Sequence, residues 1–151
     1  MGGDFIKELK IYLAGKMGGL SFEEMNSWRK EVFDKLLIVS QIADYQMQVI
    51  NPVDYYNFEE KRYQSEEEVE DYDLSHVISS NIVIVNLDGL NSSDGTKLEI
   101  HDAKYHNKIP VIAFGNQELY EKLHPWLRRN ITRVEKNIDD VVSYIHEFYM
   151  I

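Results

Sequence analysis

Four short runs of apolar and β-branched residues recur along the chain, each followed by a longer segment in which apolar positions repeat at wider spacing. That alternation is the pattern of a parallel sheet covered by helices. The first run is KIYLAG, Lys10 to Gly15. In the segment SFEEMNSWRKEVFDKLL after it, Phe22, Met25, Trp28, Val32 and Leu36 repeat at helical spacing, with Ser21 placed as N-cap and Glu24 as its capping-box partner. The second run, MQVINP from Met47 to Pro52, closes at a proline, which has no N–H to give to a ladder. Eight Glu and Asp residues then fall between Glu59 and Asp73, and the segment reads as a loop followed by a helix from about Ser65 to Ser79 with its acidic face in solvent.

The third run, NIVIVNL from Asn81 to Leu87, is apolar without interruption at its centre, as expected of a central strand buried on both faces. GTKLEIHDAKYHNK predicts a helix and IPVIAFG, Ile109 to Gly115, the fourth strand. Beyond it, EKLHPWLRR predicts a short helix and TRVEK a short edge strand. IDDVVSYIHEFYM predicts a terminal helix with Ile138, Val141, Val142, Ile145, Phe148 and Tyr149 on its apolar side. The expectation is one α/β domain over residues 1–151, a doubly wound five-stranded parallel sheet flanked by helices. In such sheets ligands sit beyond the carboxyl ends of the strands where the winding reverses, and Gly15, Asp88 and Gly115 fall at strand ends.

Charge and composition remove several classes of function. A formal net charge of -10 argues against a nucleic-acid polymer as partner, because phosphate contacts are made by Lys and Arg. The absence of cysteine excludes thiol catalysis and thiolate metal sites. No segment approaches the ~18 apolar residues of a membrane span, and a cytoplasmic protein without membrane contact is expected. His101 and His106, five apart, fall on different faces of a regular helix, and His76, His124 and His146 lie in separate elements. With no HExxH or HxH pattern, neither a metal nor another cofactor is expected. HPWL around Trp126 reads as core or subunit-interface packing.

Candidate chemistry gathers in two loops. AGKMGG follows the first strand; its spacing is neither a dinucleotide fingerprint nor a P-loop, yet Gly15, Met17 and Gly18 can bring backbone close to a sugar or phosphate. DGLNSSDGT follows the third strand and is long for such a connection, which commonly takes ~2 to 6 residues. There Gly95 permits a sharp turn, Ser92, Ser93 or Asp94 can cap the next helix, and Glu99 lies within about a turn and a half of the helix start. Leu98, Ile100 and Ala103 do not resolve which face is buried, so spacing leaves Glu99 either a solvated helix residue or a reactive carboxylate. Asp73, before the third strand, and Asp88, at its end, are further acids by position. Carboxylates converging on one cleft divide into nucleophile and acid, because proximity raises the pKa of one of them.

Taken in order, KIYLAG, VINP, the DL at Asp73 and Leu74, IVIVNLDG, DGTKLE and IPVIAFG resemble the nucleoside 2-deoxyribosyltransferase family, and LHPWL, TRVE and YIHEFYM are similar to a bacterial branch of it. The resemblance implies a flavodoxin-like fold and transfer of a 2-deoxyribosyl group between nucleobases through a covalent sugar–enzyme intermediate. By it Glu99 matches the nucleophile, Tyr12 a tyrosine that holds it, Asp73 an aspartate near the departing base, and Asp94 the base-contacting acid before the helix. Gly15, Met17, Gly18, Asp88, Ser93 and Gly95 are the expected substrate contacts. The resemblance also implies a homo-oligomer, dimer or higher, with shared active sites, nucleoside or nucleotide and free nucleobase as ligands, and Trp126, Tyr149 and the C-terminal segment as candidate interface. Where the family commonly has an acid six residues before the nucleophile, this chain has Ser93; His101 and Asp102 follow Glu99 in place of small or aromatic residues, and Asn81 stands where aspartate is frequent. Two alternatives accompany these departures: hydrolysis of the N-glycosidic bond of nucleoside 5'-monophosphates, and nucleotide sensing without turnover.

Overall fold

The computed structural model of the chain describes residues 7–56 and 61–151. Glu59 and Glu60, counted in the acidic segment, lie outside the described residues. Five parallel strands form one sheet in the order β2-β1-β3-β4-β5, where β1 is Glu8–Ala14, β2 Gln46–Ile50, β3 Ile82–Asn86, β4 Val111–Phe114 and β5 Arg133–Glu135. This is the expected doubly wound α/β architecture. The winding leaves β1 toward β2, then returns to the other side of β1 for β3, so the strand order reverses between β1 and β3. A crevice beyond their carboxyl ends is the ligand position such topology provides.

Alternation along β1 decides what reaches that crevice. Leu9, Ile11 and Leu13 pack with Val32 and Leu36 of α1 (Phe22–Ala43) and with Val141 and Val142 of α7 (Ile138–Tyr144). Tyr12 and Ala14 point to the opposite face, with Val77 of α3 (Glu66–Ile78) and Ile100 of α4 (Asp94–His101). Tyr12 is fully buried, so its hydroxyl must find a partner on that second face.

Helix α1 begins where its capping box predicts. The Ser21 side chain accepts the N–H of Glu24, and the Glu24 carboxylate accepts the N–H of Ser21. Ser21→Ala should lower stability by about 1 kcal/mol, read as a lower urea midpoint with an unchanged slope. The helix runs past its predicted end to an αL cap at Asp44. Its buried stripe is Met25, Arg29, Val32, Leu36 and Ser40, and Phe22 is exposed instead of buried. The stripe is set by the ridge that meets β1, and Phe22, the first residue of the helix, lies off it.

Pro52 does more than close β2: it opens the four-residue helix α2, Pro52–Tyr55, capped by the Asn51 side chain. Ser65 caps α3 with Glu68 in a second capping box. The helix predicted from EKLHPWLRR is two short ones, α5 (Gln117–Glu121) and α6 (Pro125–Arg128), divided because Pro125 starts a new turn capped by His124. Trp126 is 73% exposed and so is not core. On the terminal helix Phe148 is also exposed, because the last turn widens to a π-helical segment, Ile145–Tyr149, that rotates it off the buried side. Among the described residues no helix is long and apolar enough to cross a membrane.

Candidate active site

The crevice at the β1/β3 reversal is a cavity of about 500 Å³, within the range of small-molecule sites. It is lined by the loop after β1 (Gly15, Met17, Gly18), the start of α4 (Ser93, Asp94, Gly95) and one ridge of α3. Glu66, Glu70 and Asp73 stand on that ridge at i, i+4, i+7, so the acidic face expected in solvent walls the cleft at these positions.

Glu99 lies at the cavity's inner end. A 3-10 turn, Leu90–Ser92, takes up the length of the loop after β3 and aims α4 so that Thr96 and Ile100 are buried and Glu99 faces the cleft. The Tyr12 hydroxyl, on the face of the sheet that α4 covers, donates a hydrogen bond to the Glu99 carboxylate. Burial pushes the Glu99 carboxyl up to about 8; the Tyr12 bond opposes this, the charge of Asp73 adds to it, and the charge of Arg29 opposes it. Desolvation thus outweighs the Tyr12 hydrogen bond and favours the protonated carboxyl. Burial also raises the Tyr12 phenol far above its ordinary value, with the charges of Glu99 and Asp73 adding, so it stays a neutral donor. Tyr12→Phe removes the one hydrogen bond that favours the charged form. Glu99 should then ionise at still higher pH, seen as an upward displacement of its carboxyl ¹³C titration.

Asp73 lies inside α3, within the helix predicted from about Ser65 to Ser79, and is half-buried, accepting hydrogen bonds from Tyr55 (2.7 Å) and Tyr56 (2.5 Å). Burial raises its carboxyl, and these two phenols oppose the rise. The tyrosines are presented by α2 and its C-cap. Tyr55 is clasped edge-on by Tyr72 and stacked on His76, with centroids 5.0 and 5.6 Å apart. The sequence-based expectations do not include either tyrosine; the tandem YY that closes the NPVDYY segment, three and four residues after Pro52, is the signal that marks them.

Other predicted residues divide. Ser93 bonds to the buried Thr96 hydroxyl (2.7 Å) and lines the cleft with Gly95. Asp94 is at the cleft mouth, 3.9 Å from Lys97, but its side chain is 98% exposed. It does not have the buried environment expected of a proton-donating carboxyl, because the first turn of α4 points it outward. Asp88 is not in this cleft: it is an exposed turn residue whose N–H is held by the Asn86 side chain (2.9 Å), on the rim of a separate cavity with Trp28 and Glu24. His101 and His106, assigned to different faces, have ring centroids 5.2 Å apart. The helix continues after His101 as a π-helical segment, Asp102–His106, and i, i+5 side chains then share a face.

Arg29 was overlooked, although it interrupts the apolar stripe between Met25 and Val32. It is fully buried, donates to the carbonyls of Gly15 (3.0 Å) and Met25, and lies over the Trp28 ring at 4.5 Å. This packing explains Gly15: a Cβ there would lie 2.6 Å from the Trp28 ring.

No family model matches the chain, and no curated protein matches it in sequence. Solved structures do resemble it. One is described as a conserved protein from Enterococcus faecalis V583, 19% identical over 93% of this chain and 98% of that one, with a TM-score of 0.66. Another is a 2-deoxyribosyltransferase from the psychrotolerant bacterium Bacillus psychrosaccharolyticus, 21% identical over 89% of this chain and 91% of that one, with a TM-score of 0.58. At these identities what the chain has in common with both is the fold, along nearly its whole length.

Proposed function

We propose that the protein is an enzyme of the nucleoside 2-deoxyribosyltransferase type, moving a 2-deoxyribosyl group from one nucleobase to another. The observation that carries this reading is the Tyr12–Glu99 hydrogen bond in a cleft at the strand reversal that Asp73 also lines. The fold likeness to a solved 2-deoxyribosyltransferase supports it.

The reacting form in the proposed reaction has Glu99 ionised and the proton on Asp73, a minority of the protein at neutral pH because burial pushes the Glu99 carboxyl up to about 8. Its Glu99 carboxylate attacks the anomeric carbon, and the bond from that carbon to the base nitrogen breaks. The electron pair goes to the base nitrogen, and the proton on Asp73 neutralises the departing base. A glycosyl ester on Glu99 remains, its leaving carboxylate held by the Tyr12 hydroxyl. An incoming base then attacks the same carbon from the vacated side and returns its N–H proton to Asp73, freeing Glu99. Met17, Gly18, Ser93 and Gly95 border the space for sugar and base.

Charge favours a nucleoside over a nucleoside monophosphate. Among the described residues that line the cleft there are five acids, Glu66, Glu70, Asp73, Asp94 and Glu99, against one cation, Lys16, whose ammonium donates to the Ser92 hydroxyl (2.9 Å). A 5'-phosphate would enter against that field with little to neutralise it. A homo-oligomer belongs to the same reading, with the exposed Trp126 and Phe148 as candidate contacts.

The test is incubation with one deoxynucleoside and a different free base, followed by chromatography. A new deoxynucleoside supports transfer; free sugar alone makes the protein a hydrolase; tight ligand binding with no product makes it a sensor and overturns the enzymatic reading.

A further inference from the structure

A guanidinium stays charged at any pH a protein meets, and burying one without a counter-charge is costly. Arg29 is completely buried, its Nε has no hydrogen-bond partner, and among the described residues it forms no ion pair. It reaches from α1, on one face of the sheet, around the end of β1 to the Gly15 carbonyl, and Gly15 lines the cleft of Glu99 and Asp73. Burial lowers its pKa to about 10, and the nearby groups whose charges oppose that are Tyr12, Glu99, Tyr55 and Asp73. The tyrosines are held neutral by burial, so the balancing charge falls to the two carboxyls. With both ionised, the enclosed region carries a net negative charge, and with both protonated a net positive one. It is neutral with one proton on the pair.

We propose that Arg29 is a positioning residue whose fixed positive charge, anchored through the Gly15 carbonyl, balances one negative charge on the Glu99–Asp73 pair, so that the pair carries one charge and one proton in the neutral range. A nucleophile and a proton donor are then present together. The inference deepens the reading of this cleft as a two-carboxyl site but does not depend on its substrate. The other groups facing the pair are Tyr12 from β1, Lys16 from the loop after it, Tyr55 and Tyr56 from α2 and its cap, and Tyr63 from the segment before α3. Glu66, Glu70 and His76 come from α3, and Asp94 and Lys97 from α4. Of these, the acids lie along the cleft wall and mouth, and Lys16 and Lys97 are partnered at its rim.

The experiment is a substrate-free pH titration of the full chain labelled with ¹³C at Glu and Asp carboxyls, with the two signals assigned by Glu99→Gln and Asp73→Asn. The wild type should show two coupled steps on either side of neutrality. In Arg29→Met both steps should move up by about one unit or more, and Arg29→Lys should bring them at least halfway back. A folded Arg29→Met with an unmoved titration overturns the proposal, and so does an Arg29→Lys that titrates like the methionine variant. Should Arg29→Met fail to fold, Arg29→Met/Glu99→Gln is expected to fold, because the remaining carboxyl can stay protonated; a double variant that is also unfolded overturns the idea. No step requires turnover, so a failed base-exchange assay leaves this result standing and bears on the function alone.

Discussion

Glu99→Gln loses turnover by on the order of 10⁴-fold or more while the protein keeps its fold. The amide oxygen still accepts the Tyr12 hydrogen bond and fills the same volume, so the loss belongs to the missing nucleophile and not to a cavity. Steady-state rates of base exchange measure it, and mass spectrometry of quenched wild-type protein should find a deoxyribosyl adduct on the peptide containing Glu99. A variant that exchanges bases at the wild-type rate would remove Glu99 from the chemistry. The same substitution has a stability signature with a definite sign. The folded carboxyl titrates near 8 against an ordinary value near 4.5, so the folded state holds its proton more tightly than the unfolded chain. Its contribution is present in full below about 4.5 and is lost as pH rises through about 8. Glutamine never ionises, so the variant should gain stability relative to the wild type as pH climbs through that window, read by urea melts at pH 5 and pH 9.

The second large effect is expected at Asp73. Asp73→Asn keeps a single acceptor oxygen, so it can take the hydrogen bond of Tyr55 or Tyr56 but not both, and it has no acidic proton to deliver to the departing base. General-acid catalysis typically supplies about 10²- to 10⁴-fold, and the loss should fall in that range for bases that leave poorly as anions. It should shrink toward nothing for bases acidic enough to leave unaided. Single-turnover rates across leaving bases of graded acidity test this. A loss that is the same for every base would make Asp73 a binding residue instead.

How far the sequence foretells this site depends on which physical signal each part carries. Strand–helix alternation, uninterrupted apolar character in NIVIVNL and the capping box at Ser21 are local signals, and the elements they predict are where they should be. Glu99 is different. Its neighbours at helical spacing are ambiguous, and only the 3-10 turn before α4 decides that it faces the cleft; that turn has no strong sequence mark. Asp94 illustrates the reverse error: an acid at the right spacing whose first-turn position points it into solvent. Arg29 was legible as a charge on an apolar stripe, but Trp28 beside it drew the helical pattern one position aside. Tyr55 and Tyr56 act through Asp73, a contact between elements that no local pattern encodes. The paired histidines of α4 needed a π-helical turn, which shifts the side-chain period from about 3.6 residues to longer.

The tight packing at Gly15 also says where this scaffold can be redesigned. Position 15 accepts no side chain, since the indole of Trp28 already occupies that space, whereas a Cβ at Gly18, three residues on along the same rim, would meet nothing within 4 Å. A library aimed at accepting bulkier ligands should therefore leave residue 15 untouched and place its diversity at residue 18, where new side chains would project over the entrance without disturbing the charged groups beneath.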